Sequence, residues 1–176
     1  MKNIISNFAQ KYQYHLETVD KTWFNGHGNF PLDEYRLKSK KWDSSIHIKI
    51  LHKQNEFSKA RLLNDSFTSR VEIEALIQFI NHKYQSDFKI EALSYFKQLF
   101  GKNGLKVSTS DDRIEDELTQ KEAVQVFFLH FSNDLEFDPL IEYHKDVQEL
   151  SIRFQVSQMT EEDLVQFHFL IQSFHS

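Results

Sequence analysis

The sequence predicts an α+β fold in which two tandem α-β-(β)-β-β-α repeats form one pseudo-two-fold domain, an antiparallel sheet with helices packed on it. Three observations lead there. The phrase "EALIQF" at Glu74–Phe79 returns as "EDLVQF" at Glu162–Phe167, an offset of 88 in a chain of 176 residues. Apolar periodicity alternates along the chain between the helical and the strand spacing. With 40% hydrophobic residues, 17 Phe, 4 Gly and 2 Pro, the chain can bury a core and has little material for linkers.

The repeat extends beyond its phrase. Ser69–Phe79 ("SRVEIEALIQF") and Ser157–Phe167 ("SQMTEEDLVQF") share Ser, Glu, Leu, Gln and Phe in register. The same offset sets Ile5–Tyr12 ("ISNFAQKY") on Leu93–Phe100 ("LSYFKQLF"), where Ser, Phe and Gln agree. With gaps, Leu51–Phe57 ("LHKQNEF") falls on Leu129–Phe137 ("LHFSNDLEF"), and Leu32–Leu37 on Ile114–Leu118. Conserved order of matches is the signature of duplication. The repeats are residues 1–85 and 86–176, packed together.

The elements follow in chain order. Ile4, Ile5, Phe8 and Tyr12 form a stripe that predicts a helix over Lys2–Tyr12. Strands are expected at Tyr14–Val19 and, from the alternation of Ile46, Ile48 and Ile50, at Ile46–Leu51. A return strand is expected around Phe57–Leu63. Ile73, Leu76, Ile77, Ile80 and Tyr84 match the i, i+3, i+4, i+7, i+11 pattern and predict a closing helix. The second repeat starts with a helix from Ser86-Asp87 to Phe100, ended by Gly101 and the Asn103-Gly104 turn. Strands are then expected at Leu105–Thr109, at Val124–Phe131 (apolar on both faces) and at Leu150–Ser157 (alternating). Thr160 with Asp163 reads as a capping box opening a last helix with Leu164, Phe167, Ile171 and Phe174 inward.

The order of helix, strands and helix is loosely similar to that of secretion chaperones and small toxin-neutralising immunity proteins. That likeness is one of topology, from which function does not follow.

Composition excludes some functions and points mildly against others. Without Cys, the chain has no disulfides, thiolate catalysis or zinc-thiolate sites. Net charge is −5, which argues against a nucleic-acid surface and suits a basic partner. The start has no apolar run of signal-peptide length, and no stretch approaches the ~20 apolar residues of a membrane span. The expected location is the cytoplasm, with no membrane partner. No HExxH, Gly-rich phosphate loop, GxSxG or Walker pattern occurs. The sequence therefore offers no catalytic residue, metal ligand or cofactor. His52 and His130 correspond between repeats and are expected as structural residues at the core's edge.

Candidate binding residues come from where the repeats diverge. The segment Thr22–Tyr35 ("TWFNGHGNFPLDEY") concentrates Trp23, Phe24, His27, Phe30 and Tyr35 around two glycines. Read as a loop, it offers aromatic anchors. "DDRIEDE" (Asp111–Glu117) supplies Asp111, Asp112, Glu115 and Asp116 at a helix start, carboxylates able to steer a basic partner. Val165 and Phe169 add a second apolar stripe to the last helix and mark an interface candidate. The insertion Asp138–Asp146 reads as an edge-strand excursion or a docking arm. The expected protein is a non-enzymatic protein-binding module, immunity- or chaperone-like, a monomer or weak homodimer. The alternative is a small-ligand-binding or enzymatic protein with a pocket between the repeats.

Overall fold

In a row that crosses the whole molecule, Leu16, Leu37, Ile48, Ala75, Ile152, Ile141, Ile90 and Val107 pair side by side. Each comes from a different strand. Together they define one eight-stranded antiparallel sheet, seen in a computed structural model that describes residues 1–24, 29–41, 43–56, 68–93, 105–134 and 136–175. The strands are β1 (His15–Phe24), β2 (Asn29–Lys41), β3 (Ser44–Glu56), β4 (Thr68–Phe79), β5 (Phe88–Ala92), β6 (Leu105–Thr109), β7 (Leu140–His144) and β8 (Glu149–Val156). Their spatial order is β1-β2-β3-β4-β8-β7-β5-β6.

Four helices are described: α1 (Lys2–Lys11), α2 (Asp112–Gln120), α3 (Glu122–His130) and α4 (Glu161–Ser173). Their buried residues, among them Ile5, Phe8, Ile114, Leu118, Phe127 and Leu164, join one core with the apolar row of the sheet. Inside it the aromatics interlock: Phe127 and Phe167 meet Phe154 edge-on, with ring centroids 5.1 and 5.2 Å away. Such pairs add to the area they bury. Beside Phe167 on α4, His168 Nδ1 and the Tyr14 hydroxyl share a buried hydrogen bond of 3.1 Å. Burial pushes the His168 pKa down to about 4, so the ring is neutral at pH 7.

The α+β class, the antiparallel sheet and several elements agree with expectation: α1, the starts of β1 and β3, β6, β8, and α4 with its Thr160–Asp163 capping box. The two-repeat architecture finds no counterpart. Glu74–Phe79 lies in strand β4, while Glu162–Phe167 lies in helix α4. The segments 1–85 and 86–176 contribute to one continuous sheet, joined where β4 pairs with β8.

The other differences share a physical cause, namely apolar runs that satisfy both periodicities. In the expected closing helix of the first repeat, Val71, Ile73, Ala75, Ile77 and Phe79 are all buried and alternate as a strand. The expected strand Val124–Phe131 is helix α3, in which Val124, Phe127, Phe128 and Phe131 are buried at i, i+3, i+4 and i+7. The expected helix from Asp87 instead holds β5, paired on both sides, with Phe88 and Ile90 inward. The remainder of that expected helix, with Gly101 and Asn103-Gly104, lies outside the described residues, as does the return strand Phe57–Leu63. The insertion Asp138–Asp146 contributes β7, an interior strand between β8 and β5 rather than an edge excursion or a free arm.

Candidate functional site

The described helices share the core beneath one side of the sheet, and the other side carries no described helix. An antiparallel sheet commonly leaves one face solvated. Residues paired directly across neighbouring strands share a face. The row beside the apolar one therefore reads, from β1 to β6, Glu17, Arg36, Lys49, Glu74, Arg153, Leu140, Glu91 and Lys106. The next rows bring Glu34, Leu51 and Glu72 on one side, and Lys38, His47 and Leu76 on the other.

Many of these charges neutralise one another. Glu34 is only 3% exposed, and it stays ionised because Lys21 Nζ (2.5 Å) and Arg36 Nε (2.6 Å) donate to its two oxygens. The Lys21 bond and the Arg36 bond hold its pKa below the usual carboxylate range against the opposing effect of burial. Lys53 meets Glu72 at 2.6 Å, and Arg153 meets Glu142 at 2.8 Å. Lys89 pairs with Glu91 at 2.9 Å. Lys38, Lys49 and Glu74 make no ion pair among the described residues.

Two shallow depressions lie where those unpaired groups sit. One, of about 320 Å³, is bordered by Lys49, Leu51, Glu72, Glu74, Asp138 and Arg153. The other, of about 260 Å³, is bordered by Arg36, Lys38, His47, Lys49, Glu74 and Leu76. Lys49 and Glu74 border both, so the two depressions adjoin across β2, β3, β4 and β8. Leu76 is 37% exposed and supplies an apolar patch.

The residues singled out from sequence are dispersed. Trp23 and Phe30 are strand residues of a hairpin, paired with each other across β1 and β2, with ring centroids 6.4 Å apart. Lys53 Nζ lies 5.7 Å from the Trp23 ring. Phe24 is exposed at the end of β1, and His27 lies outside the described residues. Tyr35 is a core residue at 2% exposure, on the opposite face from Trp23, because side chains an odd number of residues apart on a strand point to opposite sides: Tyr35 pairs with Thr18, five residues before Trp23 on β1. Residues 22–24 and 29–35 of the expected recognition loop are thus strand, with Tyr35 buried.

Asp111 caps α2 by accepting from the Arg113 backbone N–H at 3.0 Å, and Asp112, Glu115 and Asp116 project from that helix. α2 packs on β6, at the opposite edge of the sheet from β1. At about 4.8 Å per strand, the two edges stand roughly 34 Å apart. The aromatic hairpin and the acidic helix are therefore separate surfaces. On α4, Phe169 is 48% exposed and Val165 half-buried.

Other polar clusters are accounted for by structure. His52 Nδ1 lies 3.2 Å from Asp33, and His130 Nε2 lies 2.6 Å from Asp163, so each His has its own carboxylate. Ser44 Oγ sits 2.8 Å from His175 Nε2, but that serine is 4% exposed and its hydroxyl also reaches the Lys41 carbonyl. The pair ties the end of α4 to β3. Among the described residues, no three His, Asp or Glu side chains converge as a metal site would need. No described helix is long and apolar enough to cross a membrane.

Sequence reasoning missed Arg36, Lys38, His47, Lys49, Glu74 and Leu76. Their signal was the alternation of polar with apolar residues along β2, β3 and β4, which marks an outward face once the strands are recognised. Compared with protein-family models, with curated proteins and with solved structures, the chain matches none of them.

Proposed function

We propose that this protein is a non-enzymatic binding module that meets a protein partner through the sheet face opposite the described helices. One observation carries the reading: the described helices pack on one side, and the other side holds depressions bordered by Lys38, Lys49 and Glu74, which make no ion pair among the described residues. Unpaired charge around an apolar patch gives a partner both steering and contact area. The net charge suggested a basic partner. That preference suits the carboxylates of α2, whereas the β1–β4 half of the open face carries Lys21, Arg36, Lys38, Lys49, Lys53 and Arg70 against Glu17, Glu34, Glu72 and Glu74.

Site-specific photo-crosslinking in the producing cells tests the reading. A crosslinking residue in place of Lys49 is expected to trap one protein at high yield. The same residue at Asp116 on α2 or at Phe169 on α4 is expected to trap little. Adducts confined to α2 or α4 would refute the proposal, as would a small molecule retained stoichiometrically through purification.

A further inference from the structure

We propose that the groove between Lys38 and Lys49 binds an acidic, extended peptide segment, its carboxylates on the two ammonium groups and an apolar side chain on Leu76. This rests on the open face being the contact surface and names the chemistry that surface takes.

The argument starts from register. Lys38, His47 and Leu76 form one row across β2, β3 and β4, and Arg36, Lys49 and Glu74 form the next. Rows on one face are two residues apart, roughly 6.6 Å along the strand, and neighbours within a row are about 4.8 Å apart. Lys38 and Lys49 are therefore diagonal neighbours with overlapping reach. Elsewhere on this face Lys21 has Glu34, Lys53 has Glu72 and Lys89 has Glu91, whereas Lys40 and Lys106 make no ion pair among the described residues and border neither depression. Lys49 stands directly across from Glu74 without an ion pair, and Lys38 stands across from His47. Two lysines thus border one depression, and neither makes an ion pair or side-chain hydrogen bond among the described residues.

The occupant follows from what surrounds them. A polyphosphate backbone would run into Glu17, Glu34, Glu72 and Glu74, which interrupt the cations on these strands. Discrete carboxylates on a peptide can meet Lys38 and Lys49 while skirting those acids. Glu74 can accept from a peptide N–H. Leu76, at the end of the depression, offers the apolar contact that a bare anion would not use.

The probe is hexaglutamate, titrated into isotope-labelled protein and followed by amide chemical shifts. Expected are saturable shifts centred on Lys38, His47, Lys49 and Leu76, weakening with added salt. Lys38→Glu with Lys49→Glu should reduce the affinity roughly tenfold or more. Lys38→Gln with Lys49→Gln should weaken it less, with an unchanged melting temperature showing that the fold persists. Absence of saturable shifts, shifts spread over every exposed lysine, or equal binding by the charge-reversed variant would each overturn the site. So would tighter binding of a single-stranded oligonucleotide at the same residues. If hexaglutamate fails while crosslinking at Lys49 still traps a partner, the peptide site falls and the open-face reading survives. If hexaglutamate binds here while crosslinks form only on α2, the peptide site holds and that reading falls.

Discussion

Strand β4 and helix α4 carry nearly the same six-residue phrase, and they use its side chains in opposite ways. In β4, Leu76 is 37% exposed on the open face and Ile77 is fully buried. In α4, the matched Leu164 is fully buried and Val165 is half-buried. Only the final Phe, at 79 and 167, points inward in both. The phrase does not choose its conformation; its neighbours do. Upstream of Glu162, Thr160 accepts from the Asp163 N–H at 3.2 Å, and Asp163 accepts from the Thr160 N–H at 2.6 Å, a reciprocal cap that starts a helix. The position matching Thr160 is Glu72, which cannot make that cap and instead pairs with Lys53 on β3. Around it, Val71, Ile73 and Ile77 are β-branched and alternate, as a strand buried on one face requires.

Truncation at matched positions should break the comparison most sharply. Leu164→Ala should cost about 2–5 kcal/mol in urea unfolding, while Leu76→Ala should stay within about 0.5 kcal/mol. At the next position the order reverses: Ile77→Ala should cost about 2–4 kcal/mol and Val165→Ala about 1 kcal/mol or less. Equal losses at Leu76 and Leu164 would mean that the two segments bury the same side of the phrase.

The second effect is one of pH. His168 follows the α4 phrase and is buried neutral, whereas the matched Ile80 is exposed beyond β4. The folded protein holds His168 near pKa 4 and the unfolded chain returns it to about 6.5, so the unfolded state binds the extra proton between those values. The stabilising contribution is full above about pH 6.5 and is lost as pH falls toward 4, on the order of 2–3 kcal/mol. Burial lowers the His175 pKa as well, which adds in the same direction. Replacing the hydrogen-bonded pair by Tyr14→Phe with His168→Phe should flatten the dependence of the urea midpoint between pH 7 and pH 4.5. An unchanged slope would assign it to other groups.

The smallest contrast concerns the signals that set the two conformations. Thr160→Ala removes the cap of α4 and should cost about 1 kcal/mol. Glu72→Ala removes a partly exposed cross-strand pair and should cost less than about 1 kcal/mol. Calorimetric melting temperatures on the two variants order them. A larger loss at Glu72 would make the ion pair on the open face a structural element rather than a surface one.

Much of the fold was legible locally. The helical stripe of α1, the alternation in β3 and β8, the strand β6 and the Thr160 cap each lie within a few residues of sequence and report on one element at a time. The candidate site was legible only in part: Trp23 and Phe30 stood out as aromatic, but the groove around Lys49 and Glu74 exists because three strands bring positions 38, 49 and 76 together. The repeat misled for a related reason. Ser, Glu, Leu, Gln and Phe recur at matched positions, yet a shared phrase constrains neither the hydrogen-bond partners of its backbone nor the side on which it is covered.

By itself, the sequence determined that the chain is α+β, that it can bury a large aromatic core, that thiol chemistry is absent, and where four or five well-patterned elements lie. Tertiary structure alone decided the rest. Apolar runs such as Val71–Phe79 and Val124–Phe131 satisfy both the helical and the strand period, and the choice between them falls to long-range partners: β3 and β8 complete the ladder of β4, while Phe137 and Phe154 pack against Phe127 of α3. Which face stays open is likewise a property of the assembled sheet. Register is set between strands far apart in the chain, as where β4 meets β8, and a shift of one residue would exchange the core with the surface.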